Sequence, residues 1–107
     1  MKELVTVIID RPLGSHHPKY PDLAYPINYG YIKEMIGGDG EYQDAYVIGI
    51  DYPVEVFTGK VIAVVHRLND VEDKLVVCEV GKEYKKEEIL DFIYFQEKYF
   101  EIEIEIV

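Results

Sequence analysis

Apolar residues dominate the start of the chain, where almost every position of Leu4–Ile9 is aliphatic or β-branched. A short uninterrupted run of this kind predicts a β-strand that is buried on both faces. Two further segments rich in apolar residues, Ala45–Ile50 and Lys74–Val80, follow polar turns and predict two more strands. The pattern therefore indicates a β-rich fold.

A β-hairpin is predicted between these strands. Val54–Phe57 and Lys60–His66 are both rich in β-branched residues, and only Thr58-Gly59 separates them. Two strands joined by two residues that include a glycine are typical of a hairpin, although Thr-Gly is a weaker turn signal than Asn-Gly.

Residues 11–31 interrupt the apolar pattern with prolines at positions 12, 18, 21 and 26 and tyrosines at positions 20, 25, 29 and 31. The prolines exclude a helix, because each one lacks the N–H donor and clashes with the preceding turn. A long loop of this composition either carries function or packs as an apolar cover.

One segment has helical periodicity. In Lys86–Phe100 the apolar residues Ile89, Leu90 and Ile93 fall on one stripe, which predicts a helix packed on the core. The segment that follows, Glu101–Val107, alternates charged and apolar residues, which predicts a strand with one exposed and one covered face.

Length and composition agree with one compact unit. The 107 residues suffice for one domain with one core, and a hydrophobic fraction of 49% is enough to fill it. We therefore expect residues 1–107 to form a single domain that is mainly β with one packed helix (α+β). The expected architecture is a small closed or partly open OB-like β-barrel.

The charge balance limits the classes of partner. The chain has 11 basic and 21 acidic residues, for a net charge of −10, which disfavours nucleic acid and anionic membrane surfaces. No apolar run approaches the ~18 residues that a membrane helix needs, and the first residues lack a secretory signal pattern. Cys78, the single cysteine, cannot form an internal disulfide. We expect a cytoplasmic protein that binds neither nucleic acid nor membrane.

Acidic residues concentrate in two loops. Asp39–Asp44 holds three carboxylates within six residues, and Asp70–Lys74 places Asp70, Glu72 and Lys74 on one face if the segment is extended. Oxygen ligands of this kind suit Mg²⁺, which keeps room in its shell for the phosphates of a substrate. The alternative is a pair of ordinary solvated turns, since Asp and Gly are common turn residues.

A third segment, Tyr25–Ile32, has the sequence Tyr-Pro-Ile-Asn-Tyr-Gly-Tyr-Ile, which no compositional argument explains. Together with Asp39–Asp44 and Glu72–Val77, it resembles the soluble inorganic pyrophosphatases of the β-barrel family (family I). In that family a Tyr-Pro-x-Asn-Tyr-Gly-Tyr-Ile strand precedes an Asp-Gly-Asp-x-x-Asp signature and an Asp-x-Lys pair. Glu97–Tyr99 gives a fourth match, where the family carries a tyrosine that meets phosphate. The resemblance covers residues 8–101.

The resemblance implies a Mg²⁺ site, with Mn²⁺ as a possible substitute, built by carboxylates from both acidic loops. The implied ligands are Asp39, Asp44, Asp70 and either Glu72 or Asp73. The last metal carboxylate of the family stands two places before the lysine, at Glu72. Asp73 is the closer chemical match, but it points to the opposite face of a regular strand. We therefore favour Glu72.

The resemblance also implies a set of phosphate-binding residues: Arg11, Tyr29, Lys74 and Tyr99. Arg11 stands farther from Tyr25 than the arginine of the family does. His17 and Lys19, in the proline-rich loop, are expected to reach the same pocket. The alternative for these two is a polar surface loop.

The implied reaction is the hydrolysis of pyrophosphate, or of a related phosphate anhydride, by a metal-activated water. The water needs a carboxylate to orient it, which in the family is the middle residue of the signature and here is Glu41. Arg11, Tyr29 and Lys74 are the other candidate catalytic residues. Glu41 is one methylene longer than Asp, and Phe100 replaces a lysine of the family. The alternative is therefore a module that binds metal and phosphate but hydrolyses poorly or not at all.

The resemblance favours a homo-oligomer, since the family is oligomeric. The covered face of Glu101–Val107 gives a second reason, because an edge strand can pair with the edge of a neighbouring sheet. We expect this strand or the helix Lys86–Phe100 to form the interface. The alternative is a strand folded back on its own core.

Overall fold

The computed structural model describes residues 4–38 and 40–107. The elements within those residues are, in chain order, β1 (Leu4–Arg11), β2 (Asn28–Ile36), β3 (Tyr42–Val47), β4 (Val56–Arg67), β5 (Asp73–Cys78), α1 (Lys86–Glu97) and β6 (Ile102–Ile106). The predicted mainly β fold with one packed helix is confirmed.

Five of the strands close into a barrel, because β1 pairs with a strand on each side. The order is β1-β2-β3-β5-β4, and β1 returns to pair antiparallel with β4. Strands β3 and β5 run parallel to each other, and β6 extends the sheet antiparallel to β4. Of the two predicted forms, closed or partly open, the structure therefore has the closed barrel.

Apolar side chains cover both faces of the curved sheet. One cluster fills the barrel and is built from Val7, Ile32, Ala45, Val47, Leu75 and Val77. On the other face, α1 packs Ile89 and Ile93 against Tyr46 and Val65. This second cluster holds α1 against the sheet, and Glu97 at the end of α1 pairs with Arg67 at the end of β4.

The predicted hairpin at Thr58-Gly59 is wrong, because both residues lie inside the single strand β4. Gly59 serves close packing instead of a turn. A Cβ built on Gly59 would lie 2.3 Å from the carbonyl oxygen of Cys78 in β5, so only glycine lets the two strands approach here. The Val54–Phe57 and Lys60–His66 segments are therefore parts of one continuous strand from Val56 onward.

Several element boundaries differ from the expected ones. β1 is mostly half-buried, with Val7 its one buried residue, so the prediction of two buried faces is wrong. α1 ends at Glu97 instead of Phe100, because the chain tightens into a turn in which Phe100 N donates to Glu97 O at 2.9 Å. This turn brings the Phe100 ring against Arg67.

The alternating C-terminal segment forms β6 as predicted, and it pairs with β4 of the same chain. Ile104 is buried and Ile102 packs against the cluster under the helix. The covered face of β6 thus lies on the chain's own core and does not by itself require a partner. A homo-oligomer remains a prediction.

Within the described residues, no helix is both long and apolar enough to span a bilayer.

Candidate active site

An open pocket of about 1050 Å³ lies between the proline-rich loop, the strand ends and the C-terminal end of α1. Among the described residues, its walls carry four acidic and four basic side chains: Asp10, Asp22, Asp44 and Glu72, with Arg11, Arg67, Lys74 and Lys98. Their formal charges cancel, whereas the whole chain has a net charge of −10. An anionic ligand therefore meets less repulsion in this pocket than over the rest of the surface.

Lys74 lies at the centre of this charge pattern. Its side chain is buried, and its Nζ lies 2.6 Å from Asp44 Oδ2 and 3.3 Å from Glu72 Oε2. The parallel pairing of β3 with β5 sets one of these contacts, since it brings Asp44 beside Lys74 across 30 positions of sequence. The strand period of two sets the other, because Glu72 and Lys74 point to the same face.

Tyr29 lines the same part of the pocket from β2. Burial raises the pKa of its phenol well above the ordinary value, and the charge of Asp44 raises it further. The hydroxyl is therefore protonated at neutral pH and can donate a hydrogen bond to a phosphate oxygen. The Lys74 ammonium lies 5.7 Å from the centroid of the Tyr29 ring.

Arg67 and Glu97 form a buried ion pair at the back of the pocket. Arg67 Nε donates to Glu97 Oε1 at 3.0 Å, and Arg67 Nη2 donates to Glu97 Oε2 at 2.7 Å. The guanidinium carbon also lies 3.7 Å from the centroid of the Phe100 ring. A paired fork of this kind holds the guanidinium in one orientation.

Hydrogen bonds extend this pair across the pocket wall. Tyr46 Oη donates to Glu97 Oε2 at 2.5 Å, Gln96 Nε2 donates to Tyr46 Oη at 2.7 Å, and Tyr25 Oη donates to Gln96 Oε1 at 2.9 Å. Burial raises the pKa of Tyr46 well above its ordinary value, and Glu97 adds to the effect. The network therefore ties the strands, the helix end and the proline-rich loop together.

Seven of the residues expected from the sequence line this pocket: Arg11, His17, Tyr29, Asp44, Glu72, Lys74 and Tyr99. Arg11 lies at the end of β1, where its Nη1 donates to Asp10 O at 3.0 Å. Tyr99 is largely exposed at the rim, just after α1. The proline-rich loop thus contributes His17 to the wall, and its backbone N–H of Lys19 donates to His17 Nδ1 at 3.0 Å.

Four other expected residues lie outside the pocket wall. Glu41 and Lys19 are exposed. Asp70 turns its Oδ1 toward its own backbone, where Val71 N donates to it at 2.6 Å. Asp73 faces the opposite side of the sheet and pairs with His66 Nδ1 at 3.2 Å. Asp39 lies outside the described residues.

The geometry favours Glu72 over Asp73 as the residue that reaches the pocket. Glu72 lines the pocket beside Lys74, and Asp73 does not line it. Consecutive residues of an extended chain point to opposite faces, so only one of the two carboxylates can reach the pocket.

The described carboxylates fit a divalent ion at one end of the pocket only. Asp44 and Glu72 both line the pocket, and carboxylate oxygens are the ligands that Mg²⁺ prefers. At the other end the wall residue is Arg67, whose Nη1 lies 3.9 Å from Oδ2 of Asp70, outside the wall. Within residues 4–38 and 40–107, no three His, Cys, Asp or Glu side chains gather closely enough to hold a metal ion.

Arg67 and Glu97 were not identified from the sequence, although the pattern contained a signal. Arg67 continues the buried series of Ala63 and Val65 at the strand period, and Glu97 continues the stripe of Ile89 and Ile93 at the helical period. A charged residue in such a position is rarely buried unless it is paired.

Asp10 is a further pocket residue that the sequence analysis did not identify. Burial raises the pKa of Asp10 above its ordinary value, although the neighbouring Arg11 opposes the shift. Its position directly before Arg11, at the end of a strand that closes the barrel, places a second carboxylate on the side of Asp44.

Comparison with protein families gives one match over most of the chain. The model of the inorganic pyrophosphatase family matches residues 4–102. No curated protein sequence matches the chain at a significant level.

Solved structures of inorganic pyrophosphatases share the fold. The protein from Ehrlichia chaffeensis has a TM-score of 0.69 at 18% identity, with 94% of this chain and 83% of that chain covered. The protein from Neisseria gonorrhoeae has a TM-score of 0.68 at 19% identity, covering 90% and 73%. For the protein from Thermus thermophilus the values are 0.65, 18%, 95% and 80%. At these identities the likeness shows the fold.

Proposed function

The chain belongs to the inorganic pyrophosphatase family, and on that premise we propose that it hydrolyses inorganic pyrophosphate, or a related phosphate anhydride, in a Mg²⁺-dependent reaction. Family membership supports an inorganic diphosphatase activity. The observation that carries the proposal is the buried Lys74 ammonium, held between Asp44 and Glu72 on the wall of a charge-balanced pocket.

The cationic side chains of the pocket favour a phosphate anhydride as the class of substrate. Arg11, Lys74 and Arg67 all line the pocket, and each can donate hydrogen bonds to phosphate oxygens. The Tyr29 hydroxyl adds a neutral donor that stays protonated, because burial raises its pKa. A small, highly charged anhydride suits this set better than a neutral ligand.

Asp44 and Glu72 are the described residues that would hold Mg²⁺, with Asp39 a further candidate from the sequence. Mg²⁺, when bound, neutralises charge on phosphate oxygens and lowers the pKa of a water. Mn²⁺ suits the same oxygen ligands. The role of Lys74 is then to orient the two carboxylates through its ion pairs with them and to donate a hydrogen bond to a phosphate oxygen.

A second candidate function is a module that binds a metal ion and a phosphate ligand with little or no hydrolysis. The exposed position of Glu41 favours it, since Glu41 is the carboxylate expected to orient the water and it does not line the pocket. Catalytic rates are sensitive to displacements of about 1 Å at the reacting centre.

Phosphate release from pyrophosphate, measured with and without Mg²⁺, tests the proposal. We expect Mg²⁺-dependent release that falls on the order of 10–100-fold in Lys74→Ala, since that change removes a charged phosphate contact. Tyr29→Phe is expected to lower the rate by less, because it removes one neutral donor.

The two candidate functions differ in one outcome of this assay. Hydrolysis by the wild-type protein supports the first. Binding of a non-hydrolysable diphosphate without any release of phosphate from pyrophosphate favours the binding module.

The setting of this function is also part of the proposal. We propose that residues 1–107 act as one domain in the cytoplasm, on a small phosphate-anhydride substrate, without a nucleic-acid or membrane partner. Assembly into a homo-oligomer is proposed on the family resemblance and on the outer edge of β6, which pairs with no strand within residues 4–38 and 40–107. Light scattering on the intact chain tests it, and a monomer would refute it.

A further inference from the structure

Arg67 is held in a way that fixes a permanent positive charge inside the pocket. Both hydrogen bonds to Glu97 come from Nε and Nη2, and both residues are buried. Burial alone would lower the pKa of the guanidinium, but the hydrogen bonds and the charge of Glu97 raise it. The side chain therefore stays charged at any pH at which the protein is folded.

The remaining nitrogen of Arg67 faces two carboxylates that the sequence assigned to metal. Nη1 lies 3.5 Å from Glu72 Oε2 and 3.9 Å from Asp70 Oδ2. Both distances exceed the 2.7–3.2 Å range of an N–H···O hydrogen bond. Nη1 therefore compensates the charge of these carboxylates without a short hydrogen bond to either one. Its N–H groups can donate a hydrogen bond to a ligand in the pocket.

A divalent ion and this guanidinium compete for the same oxygens. For a metal to bind between Asp70 and Glu72, Arg67 would have to move away and leave Glu97 buried without its ion-pair partner. Breaking a buried ion pair in that way is strongly unfavourable. The Arg67 side of the pocket is therefore built around a fixed side-chain cation.

We propose that Arg67 takes the place of a divalent ion on its side of the pocket, beside Asp70 and Glu72, and binds a phosphate group of the ligand there through Nη1. This inference rests on the proposed function, because it assumes a phosphate-type ligand. Metal binding is then confined to the Asp44 end of the pocket.

The position of Lys74 agrees with this assignment. Glu72 Oε2 lies 3.5 Å from Arg67 Nη1 and 3.3 Å from Lys74 Nζ. The separation of the two cationic nitrogens therefore cannot exceed the sum of these two distances. Two cations this close repel each other unless anions lie between them. Glu72 lies between the two cations, while Asp44 also pairs with Lys74 and Glu97 with Arg67. An anionic phosphate group in the pocket would add to this compensation.

The number of bound Mn²⁺ ions per chain, counted by electron paramagnetic resonance, tests the inference. The double variant Arg67→Gln/Glu97→Gln removes both charges together, so no buried charge is left unpaired. It is expected to bind one more Mn²⁺ than the wild type, because Asp70 and Glu72 become available. The matched control is His66→Gln/Glu105→Gln, a pair on the other face of β4, which should bind the same number as the wild type. An equal count in the wild type and the Arg67→Gln/Glu97→Gln variant would overturn the inference.

A second variant keeps the test decisive if the first one fails to fold. Asp70→Asn is conservative, because an asparagine side chain can keep the cap on the following turn. With Arg67 serving as the cation at this end, Asp70→Asn should leave the Mn²⁺ count of the wild type unchanged. Loss of one Mn²⁺ from Asp70→Asn would show that Asp70 is a metal ligand and would overturn the inference.

Binding of imidodiphosphate, a non-hydrolysable analogue of pyrophosphate, separates this inference from the proposed function. Without metal, Arg67→Gln/Glu97→Gln is expected to bind the analogue on the order of 10-fold more weakly than the wild type. If the wild type binds neither Mn²⁺ nor the analogue, the proposed function fails and this inference fails with it. If the wild type binds both and the variant matches it in both, only the role of Arg67 is refuted.

Discussion

His66 and Arg67 are neighbours in β4, and Glu72 and Asp73 are neighbours where β5 begins, yet each pair divides between two different environments. Arg67 and Glu72 face the pocket under the end of α1, 3.5 Å apart. His66 and Asp73 face the other side of the sheet, 3.2 Å apart, where both side chains are partly exposed. The same kinds of charge therefore meet on both faces of the same two strands.

The difference between the faces is burial. Arg67 and Glu97 are shielded by the helix and by Phe100, whereas His66 bridges Asp73 and Glu105 in contact with solvent. Solvent screens an exposed pair, which contributes ~0–1 kcal/mol, while a buried pair is costly to break. The pocket face should thus dominate both stability and function.

The largest expected effect concerns the buried pair. Arg67→Gln alone should lower the free energy of unfolding by about 3–5 kcal/mol, because it leaves Glu97 buried and charged. His66→Gln, one residue away, should lower it by less than about 1 kcal/mol. Urea denaturation of the three proteins measures both values.

The double variant sharpens this prediction. Arg67→Gln/Glu97→Gln should be more stable than Arg67→Gln, because it removes the uncompensated charge as well as its partner. A double variant no more stable than Arg67→Gln would mean that the pair is not the source of the loss.

The next effect concerns metal linkage. An ion that binds the folded state stabilises it by RT ln(1 + [L]/Kd), or about 2.7 kcal/mol at a concentration 100 times Kd. We expect Mg²⁺ to raise the melting temperature of the wild type and of Asp73→Asn, but much less that of Glu72→Gln. Asp73→Asn is the matched control, since its carboxylate faces away from the pocket. Equal shifts in all three proteins would remove Glu72 from the metal site.

The smallest effect is a pH dependence on the exposed face. The hydrogen bond with Glu105 raises the pKa of His66, and Asp73 adds to the effect. A raised folded-state pKa stabilises the protein below the unfolded value of ~6.5, and the contribution is lost as the pH rises through the folded-state value. The wild type should thus gain stability over His66→Gln at about pH 5.5 but not at about pH 8.5. A stability difference that does not change with pH would contradict this assignment.

Local periodicity was sufficient to predict much of this arrangement. The alternation of side chains along a strand predicted that Glu72 and Asp73 face opposite sides of the sheet. The apolar stripe that includes Ile89 and Ile93 predicted the helix and its packing on the core. The prediction of a hairpin at Thr58-Gly59 was wrong, because a glycine that allows two strands to approach closely looks the same in the sequence as a glycine in a turn.

Long-range pairing could not be predicted in the same way. The contact of Lys74 with Asp44 depends on the parallel pairing of β3 with β5, which no local pattern encodes. Arg67 and Glu97 are likewise 30 positions apart, and only their charged side chains in otherwise apolar series marked them. Family resemblance supplied the residues around Lys74, whereas it gave no role to Glu97 within the Glu97–Tyr99 match and did not include Arg67.

The rate of phosphate release from pyrophosphate in the presence of Mg²⁺, compared for the wild type, Glu72→Gln and Asp73→Asn, tests the central claim most directly. If the pocket face carries the chemistry, the wild type and Asp73→Asn hydrolyse pyrophosphate at similar rates, and Glu72→Gln is slower on the order of 10–100-fold. Absence of Mg²⁺-dependent release by the wild type, or equal loss of rate in the two variants, would contradict the account.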